Sequence, residues 1–157
     1  MQIVTQRTKN MSYTIYLSGE IHTPWRDQIK QGILENKLNI EVLSPITNHD
    51  SSDNIGSDIL GAEQNNFWKD HKAAKINAIR TNSFISRSDL VVIKFGDKYK
   101  QWNAAFDAGI AAGLGIPTII MHAPDLTHPL KEVDAAAQAV TETPEQVVEI
   151  LIYISLP

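Results

Sequence analysis

Asp107 is the one fixed charge between Gln101 and Pro124, set in a run of alanine, glycine and apolar residues from Trp102 to Gly115. A carboxylate among such neighbours is costly to desolvate unless a partner holds it or a reaction uses it. Burial raises its pKa, and perturbed carboxylates in clefts are candidates for chemistry. The plainer alternative is an Asp near a helix N-terminus, favoured by the macrodipole and solvated at the edge. Ala104, Ala105, Ala108, Ala111 and Ala112 fall on one side of a 3.6-residue helix, with Gly109 and Gly113 also small, so this helix can approach a sheet closely. Asn103 and Asp107, four apart, are expected together on the opposite side.

Strand and helix signals alternate around that segment. Asp89 to Gly96 is an apolar run that reads as a buried parallel strand, and Pro117 to Met121 supplies another after Gly115, a helix C-cap candidate. Upstream, Thr14 to Ser18 is a first strand ending in Gly19, and Ile40 to Leu43 a second, stopped by Ser44-Pro45. Between them Thr23 caps a helix with Pro24 at its first position, running to about Asn36. A helix from about Lys69 to Ser86 takes Ala73, Ile76, Ile79 and Ile85 as its inner face. Gln138 to Val140 is a short fifth strand, and Thr143 with Gln146 forms a capping box for the last helix. That helix is apolar on several sides (Val147, Val148, Ile150, Leu151, Ile152, Ile154), which predicts a subunit contact in addition to a core face. Phe106 and Ile110, away from the alanines, add to the expectation of a homodimer or higher homo-oligomer.

Alternating strands and helices predict one α/β domain, a flavodoxin-like doubly wound parallel sheet of order 2-1-3-4-5 with helices on both faces. The domain is expected over residues 12–157, behind a polar, fraying extension at 1–11. In that order ligands bind beyond the carboxyl ends of strands one and three. Two loops therefore form the site by topology: Ser18-Gly19-Glu20-Ile21-His22 and Phe95-Gly96-Asp97-Lys98-Tyr99. Gln101, Trp102 and Asn103 open the Asp107 helix beside them and complete the expected substrate-binding set.

Composition narrows the partners. The chain has 157 residues, a net charge of −4 and no cysteine. The charge, without a basic cluster, argues against nucleic-acid polymers and anionic membranes. The lack of cysteine removes disulfides, thiolate zinc sites and cysteine catalysis. No apolar leader or bilayer-length stretch is present, so a cytoplasmic protein is expected, with no cofactor and no metal.

Other residues leave two readings each. The segment from Thr47 to Asn66, with His49, Asp50, Asp53 and Asp58, lacks calcium-loop spacing and reads as solvated acids on a mobile lid or substrate loop. Gly113-x-Gly115 follows a helix rather than a strand, so it is no dinucleotide fingerprint. His122 either faces the crevice or is a hydrogen-bonded structural histidine. Trp25, Trp68 and Trp102 either stack on a planar base or pack. Arg80 and Arg87, seven apart on one helix, either meet a phosphate or pair with surface acids.

Tyr16-Leu17-Ser18-Gly19 and the stretch Asn103 to Pro117 resemble the nucleoside 2-deoxyribosyltransferase family, with its Tyr-Phe/Leu-x-Gly start and later Gly-Thr-Ala-x-Glu-x-Gly-x-Ala-x-Ala-x-Gly-Lys-Pro pattern. From Met11 onward, including Ile21 to Arg26 and Gly96 to Trp102, the chain looks like the YtoQ-type branch. The resemblance implies a flavodoxin-like fold and cleavage of the glycosidic bond of a nucleoside or nucleotide through a covalent deoxyribosyl-enzyme, as in retaining glycosidases. The family's nucleophilic Glu falls on Asp107, one methylene shorter, and its steadying tyrosine on Tyr16. The family's base-handling acids fall near Thr81 and at Gln101, neither acidic, so Glu20, His22 or Asp97 are the stand-ins that topology offers. A binding module that kept the pocket and lost the chemistry is the alternative.

Overall fold

A computed structural model gives the fold and describes residues 11–157; the expected extension lies outside them except for Met11. Five strands form one all-parallel sheet: β1 (Tyr13–Gly19), β2 (Ile40–Leu43), β3 (Leu90–Lys94), β4 (Thr118–Met121) and β5 (Ala139–Thr141), in the order β2-β1-β3-β4-β5. The flavodoxin-like order expected from the alternation is the observed one. β1 lies inside the sheet between β2 and β3, with Tyr16 opposite Val91 and Ser18 opposite Ile93 of β3.

Strand alternation sorts β1 between two cores. Ile15 and Leu17 point to one face, where they meet Trp25, Ile29 and Ile33 of α1 (Trp25–Glu35) together with Val147 and Leu151 of the C-terminal helix Pro144–Ile154. Tyr16 points to the other, with Ile85 near the end of the long helix Asn66–Ser86 and Ala104, Ala108 and Ala111 of the helix Trp102–Gly113. In chain order these are α1, α2 (His49–Leu60), α3 (Asn66–Ser86), α4 (Trp102–Gly113), α5 (Lys131–Ala135) and α6 (Pro144–Ile154).

Several local expectations change. The segment after Thr47 is not an irregular lid: Asn48 caps the Ser51 N–H and twelve residues form α2. Gly56 permits this, since a Cβ there would lie 2.5 Å from the Lys72 Cβ, so α2 packs directly on α3. On α3 itself Ala73 and Ile85 are buried, whereas Ile79 is 73% exposed. Thr23 does not cap α1; its hydroxyl and N–H both bond to the Glu20 carboxylate. On α4 the alanines at 104, 108 and 111 face the sheet as expected, but Gly109 and Gly113 point into open space. Asp107 lies three residues after Ala104 and four before Ala111, which puts it on the packed face and not opposite to it.

The capping box of α6 forms between Thr143 and Gln146, and Gly115 follows the end of α4 with positive φ. Most of the apolar circumference of α6 is used inside the chain: Val147 and Leu151 are buried, and Val148, Ile150 and Ile154 pack around them. Phe106, 71% exposed, and Leu114 are among the apolar groups left open on the α3–α4 side. Among the described residues no helix is long and apolar enough to cross a membrane.

Gly19 ends β1 at φ +109°, and a Cβ there would sit 2.0 Å from the Lys94 carbonyl oxygen. Gly19→Ala is therefore expected to lose at least about 2 kcal/mol in urea unfolding, from strain and backbone collision together. Gly109→Ala, inside a helix with nothing within 4 Å, should gain about 0.5–1 kcal/mol. Equal unfolding midpoints for the two variants would contradict both assignments.

Candidate active site at the carboxyl end of the sheet

The period-two alternation that sends Tyr16 toward α3 and α4 sends Ser18 the same way, two residues nearer the carboxyl end of β1. One and a half turns into α4, Asp107 reaches that position. The Ser18 hydroxyl donates to Asp107 Oδ2 at 2.5 Å, and both side chains are buried, Asp107 at 9% exposure. Burial pushes the Asp107 pKa above the ordinary carboxylate value, and the Ser18 hydrogen bond opposes that rise in part. Tyr16 was the expected orienter of this carboxylate. The hydrogen bond comes instead from Ser18, while Tyr16 stands close enough to feel the Asp107 charge. Burial first and that charge second push the phenol up to about 12, against the neighbouring Thr81, Arg26 and Arg80. It therefore stays protonated throughout the physiological range.

A cavity of about 550 Å³ opens beside this pair, within the usual range of roughly 300–1,000 Å³ for small-molecule sites. Its floor is Tyr16, Ser18, Gly19 and Asp107; Asn103, Phe106 and Ile110 of α4 form one wall, and α3 forms another with Asn77, Arg80 and Thr81. The far wall is α2, through His49, Ser52 and Asp53, in the segment that the sequence presents only as polar loop. His49 Nδ1 pairs with Asp53 Oδ2 at 2.7 Å, four residues on along the helix.

The structure does not gather all expected site residues here. Glu20, His22, Gly96, Asp97 and Gln101 line a second cavity of about 500 Å³, with Lys94, Lys98 and Glu142. The physical reason is the left-handed turn at Gly19, which breaks the alternation so that Glu20 does not follow Ser18. The Glu20 carboxylate turns to the entry of α1, where it accepts from the His22 N–H at 2.6 Å and from the N–H and hydroxyl of Thr23. Gln101 is likewise committed, its Oε1 accepting from the Gly96 N–H at 3.0 Å. His22 lies against the Tyr99 ring, with centroids 4.9 Å apart. Trp102 is 74% exposed and lines neither cavity. Trp25 packs in the core and donates to the Glu20 carbonyl. His122 has a structural place between β4 and α5, its Nε2 3.0 Å from Asp134 Oδ2 and its Nδ1 2.7 Å from the Ala123 carbonyl.

Arg26 is the residue that sequence reasoning passed over. It is buried on α1 and donates from Nε to the Leu17 carbonyl (3.0 Å), from Nη2 to Gly19 (3.0 Å) and from Nη1 to Glu20 (2.6 Å), while stacking on Trp25 at 4.5 Å. Burial lowers its pKa to about 10, against the pull of Tyr16, Glu20 and Asp27. One guanidinium thus fixes the carbonyls on either side of Ser18. Its only signal in the sequence is a lone arginine beside a tryptophan in the first turn of a helix. Among the described residues no group of three or more His, Asp or Glu is placed to hold a metal ion.

Comparison with known proteins gives the following. A family model described as nucleoside 2-deoxyribosyltransferase YtoQ matches residues 16–155. The uncharacterized protein YtoQ of Bacillus subtilis (strain 168) is 44% identical over 144 residues, 92% of this chain and 97% of that one. Among solved structures, the 2-deoxyribosyltransferase of Bacillus psychrosaccharolyticus superposes with a TM-score of 0.54 at 17% identity, over 86% of this chain and 90% of its own. A conserved protein from Enterococcus faecalis V583 gives 0.59 at 16% identity, over 92% and 99%. At such identities the two structures speak for the fold.

The raised pKa of Asp107 means that the folded chain holds this proton more tightly than the unfolded chain. The stability so contributed is full below the ordinary value of 3.8 and is lost as the pH climbs through the raised one. Asp107→Asn, which keeps an acceptor for Ser18, should therefore melt at or above the wild-type temperature at neutral pH. The gap should close as the pH falls toward 3.8. A neutral-pH melting temperature several degrees below wild type, by circular dichroism, would mean that the charge serves the fold.

Proposed function

The chain belongs to the nucleoside 2-deoxyribosyltransferase YtoQ family, and from that premise we propose that it cleaves the N-glycosidic bond of a nucleoside or nucleotide with Asp107 as nucleophile. The observation that carries the reading is a buried carboxylate, held by Ser18, facing a cavity of ligand size. An Asp107 oxygen attacks the anomeric carbon, the carbon–nitrogen bond breaks, and its electron pair leaves with the base, which takes up a proton. The sugar remains as an ester of Asp107 until water or a second base attacks the same carbon and frees the carboxylate. Ser18 directs one carboxylate oxygen and leaves the other for attack. Tyr16, held protonated, offers a neutral donor beside the developing charge.

The departing base needs an acid within reach. Glu20 and His22, the stand-ins expected from topology, line the other cavity, and the Glu20 oxygens are occupied. In the Asp107 cavity that work falls to His49, whose Nδ1 is tied to Asp53 and whose Nε2 is free to face the base. A binding module that keeps the cavity without the chemistry is the second reading. The observation that favours it is the burial of Asp107, which raises the cost of ionising the nucleophile.

Incubation with a panel of 2-deoxynucleosides and their monophosphates, watched for released base, separates the two. Release should be lost by about three orders of magnitude or more in Asp107→Asn. In the wild type it should rise with pH as Asp107 ionises, through a midpoint above the ordinary carboxylate value of 3.8. Near wild-type turnover in the Asn variant would remove Asp107 from the chemistry, and a panel without released base would favour the binder.

His49→Ala should lower kcat about 100-fold on natural bases, the usual scale for a general acid, yet about tenfold or less on a 2-deoxyribosyl 4-nitrophenyl substrate whose leaving group needs no proton. An equal loss on both substrates would deny His49 the role of acid.

A further inference from the structure

The geometry points to a phosphate-recognition subsite at the Arg80 edge of the Asp107 cavity, so that the ligand taken there is a nucleoside monophosphate in preference to a free nucleoside. Placing the sugar at Asp107 rests on the glycosidic reading above; the phosphate end rests on observations of its own.

The first is charge. α3 brings Lys75 and Arg80 to the cavity wall, and among the described residues neither makes a salt bridge. The two carboxylates of the same cavity are already engaged, Asp53 by His49 and Asp107 by Ser18. Neither carboxylate is thus in contact with Lys75 or Arg80, and both cations remain for a ligand. The second cavity has more carboxylates than cations, Glu20, Asp97 and Glu142 against Lys94 and Lys98.

The second is the mounting of Arg80. Its guanidinium carbon lies 4.5 Å over the Phe84 ring, and Phe84 stands edge-on to Tyr16 with centroids 6.1 Å apart. The head group is thus set against the wall that carries the Tyr16 phenol. Its protein hydrogen bond is a long one, from Nη2 to the Ser44 carbonyl at 3.4 Å, which leaves most of its N–H donors for a ligand. Arg87 stacks on the same ring at 4.7 Å but lies outside the cavity, so stacking alone does not place an arginine there. A planar fork of free donors matches the oxygens of a phosphate in two places at once, and Lys75 adds a point charge. Asn82 supplies a neutral donor on the same helix, whereas the Asn77 amide is committed to Ser52 of α2.

The test uses the Asp107→Asn protein, which holds ligand without turning it over. Calorimetry at low ionic strength compares 2-deoxyguanosine and 2-deoxycytidine with their monophosphates, and inorganic phosphate is titrated as a competitor. The monophosphates should bind at least about tenfold more tightly than the nucleosides, as a charge-assisted bidentate contact allows. That ratio should shrink as salt is added and fall to about twofold or less in Arg80→Gln, with Arg80→Lys between. Arg80 is solvent-exposed on α3, and a circular dichroism melt checks that each variant is folded. Equal binding of nucleoside and monophosphate, a preference that survives Arg80→Gln, or no binding of any probe would overturn the subsite. Inorganic phosphate bound as tightly as the monophosphates would also overturn it, by showing an anion site without a nucleoside. Base release by the wild type is read separately. An Arg80-dependent preference without base release removes the glycosidic chemistry and leaves the subsite; base release without the preference does the reverse.

Discussion

The hydrogen bond from Ser18 to Asp107 joins β1, an interior strand of the sheet, to the helix that covers it, and the arrangement of the site depends on its being there. A buried carboxylate with no donor would sacrifice its hydration for nothing in return. This donor is placed by two things outside the pair. Strand alternation puts Ser18 on the α4 face, and Arg26, from the opposite layer, holds the carbonyls of Leu17, Gly19 and Glu20. The end of β1 cannot shift to relax the Ser18 contact without unpairing a buried guanidinium, which is a costly exchange.

Gly19 makes the division of labour possible. By turning left-handed against the Lys94 carbonyl, it ends the alternation one residue after Ser18 and sends Glu20 toward α1. The sheet end therefore presents two chemically different cavities. One combines a desolvated acid with unpaired cations; the other has charges of both signs and a glutamate already satisfied by backbone N–H groups. A single merged crevice would set Glu20 beside Asp107, and like charges at short range would push both carboxyls toward protonation.

The sheet order was legible in the sequence because β-runs and helical spacing alternate without ambiguity, and parallel topology then fixes which loops meet. Asp107 was legible because one charge in an apolar run is conspicuous. What escaped has a common cause: it depends on backbone direction or on packing between distant segments. No periodicity reveals that φ at Gly19 is positive, so Glu20 was placed by extrapolating a strand that had already ended. The helix α2 has weak apolar content and forms because Gly56 lets it lie on Lys72 and Ala73 of α3, so it reads as loop when its partner is not in view. Arg26 looks like any helix-surface arginine until the three carbonyls it serves are seen to converge on it.

The seam at Gly56 has one more consequence. α2 rests chiefly on α3, through a contact with no side chain between the two backbones, and it carries His49 and Asp53 on its first turns. The wall of the cavity that carries His49 and Asp53 is thus a separate plate, mounted on the same long helix that bears Lys75 and Arg80. Its alignment with the Asp107 carboxylate on α4 is inherited through α3. A substitution at the seam, at a distance from both side chains, would tilt His49 and Asp107 relative to each other while leaving each of them intact.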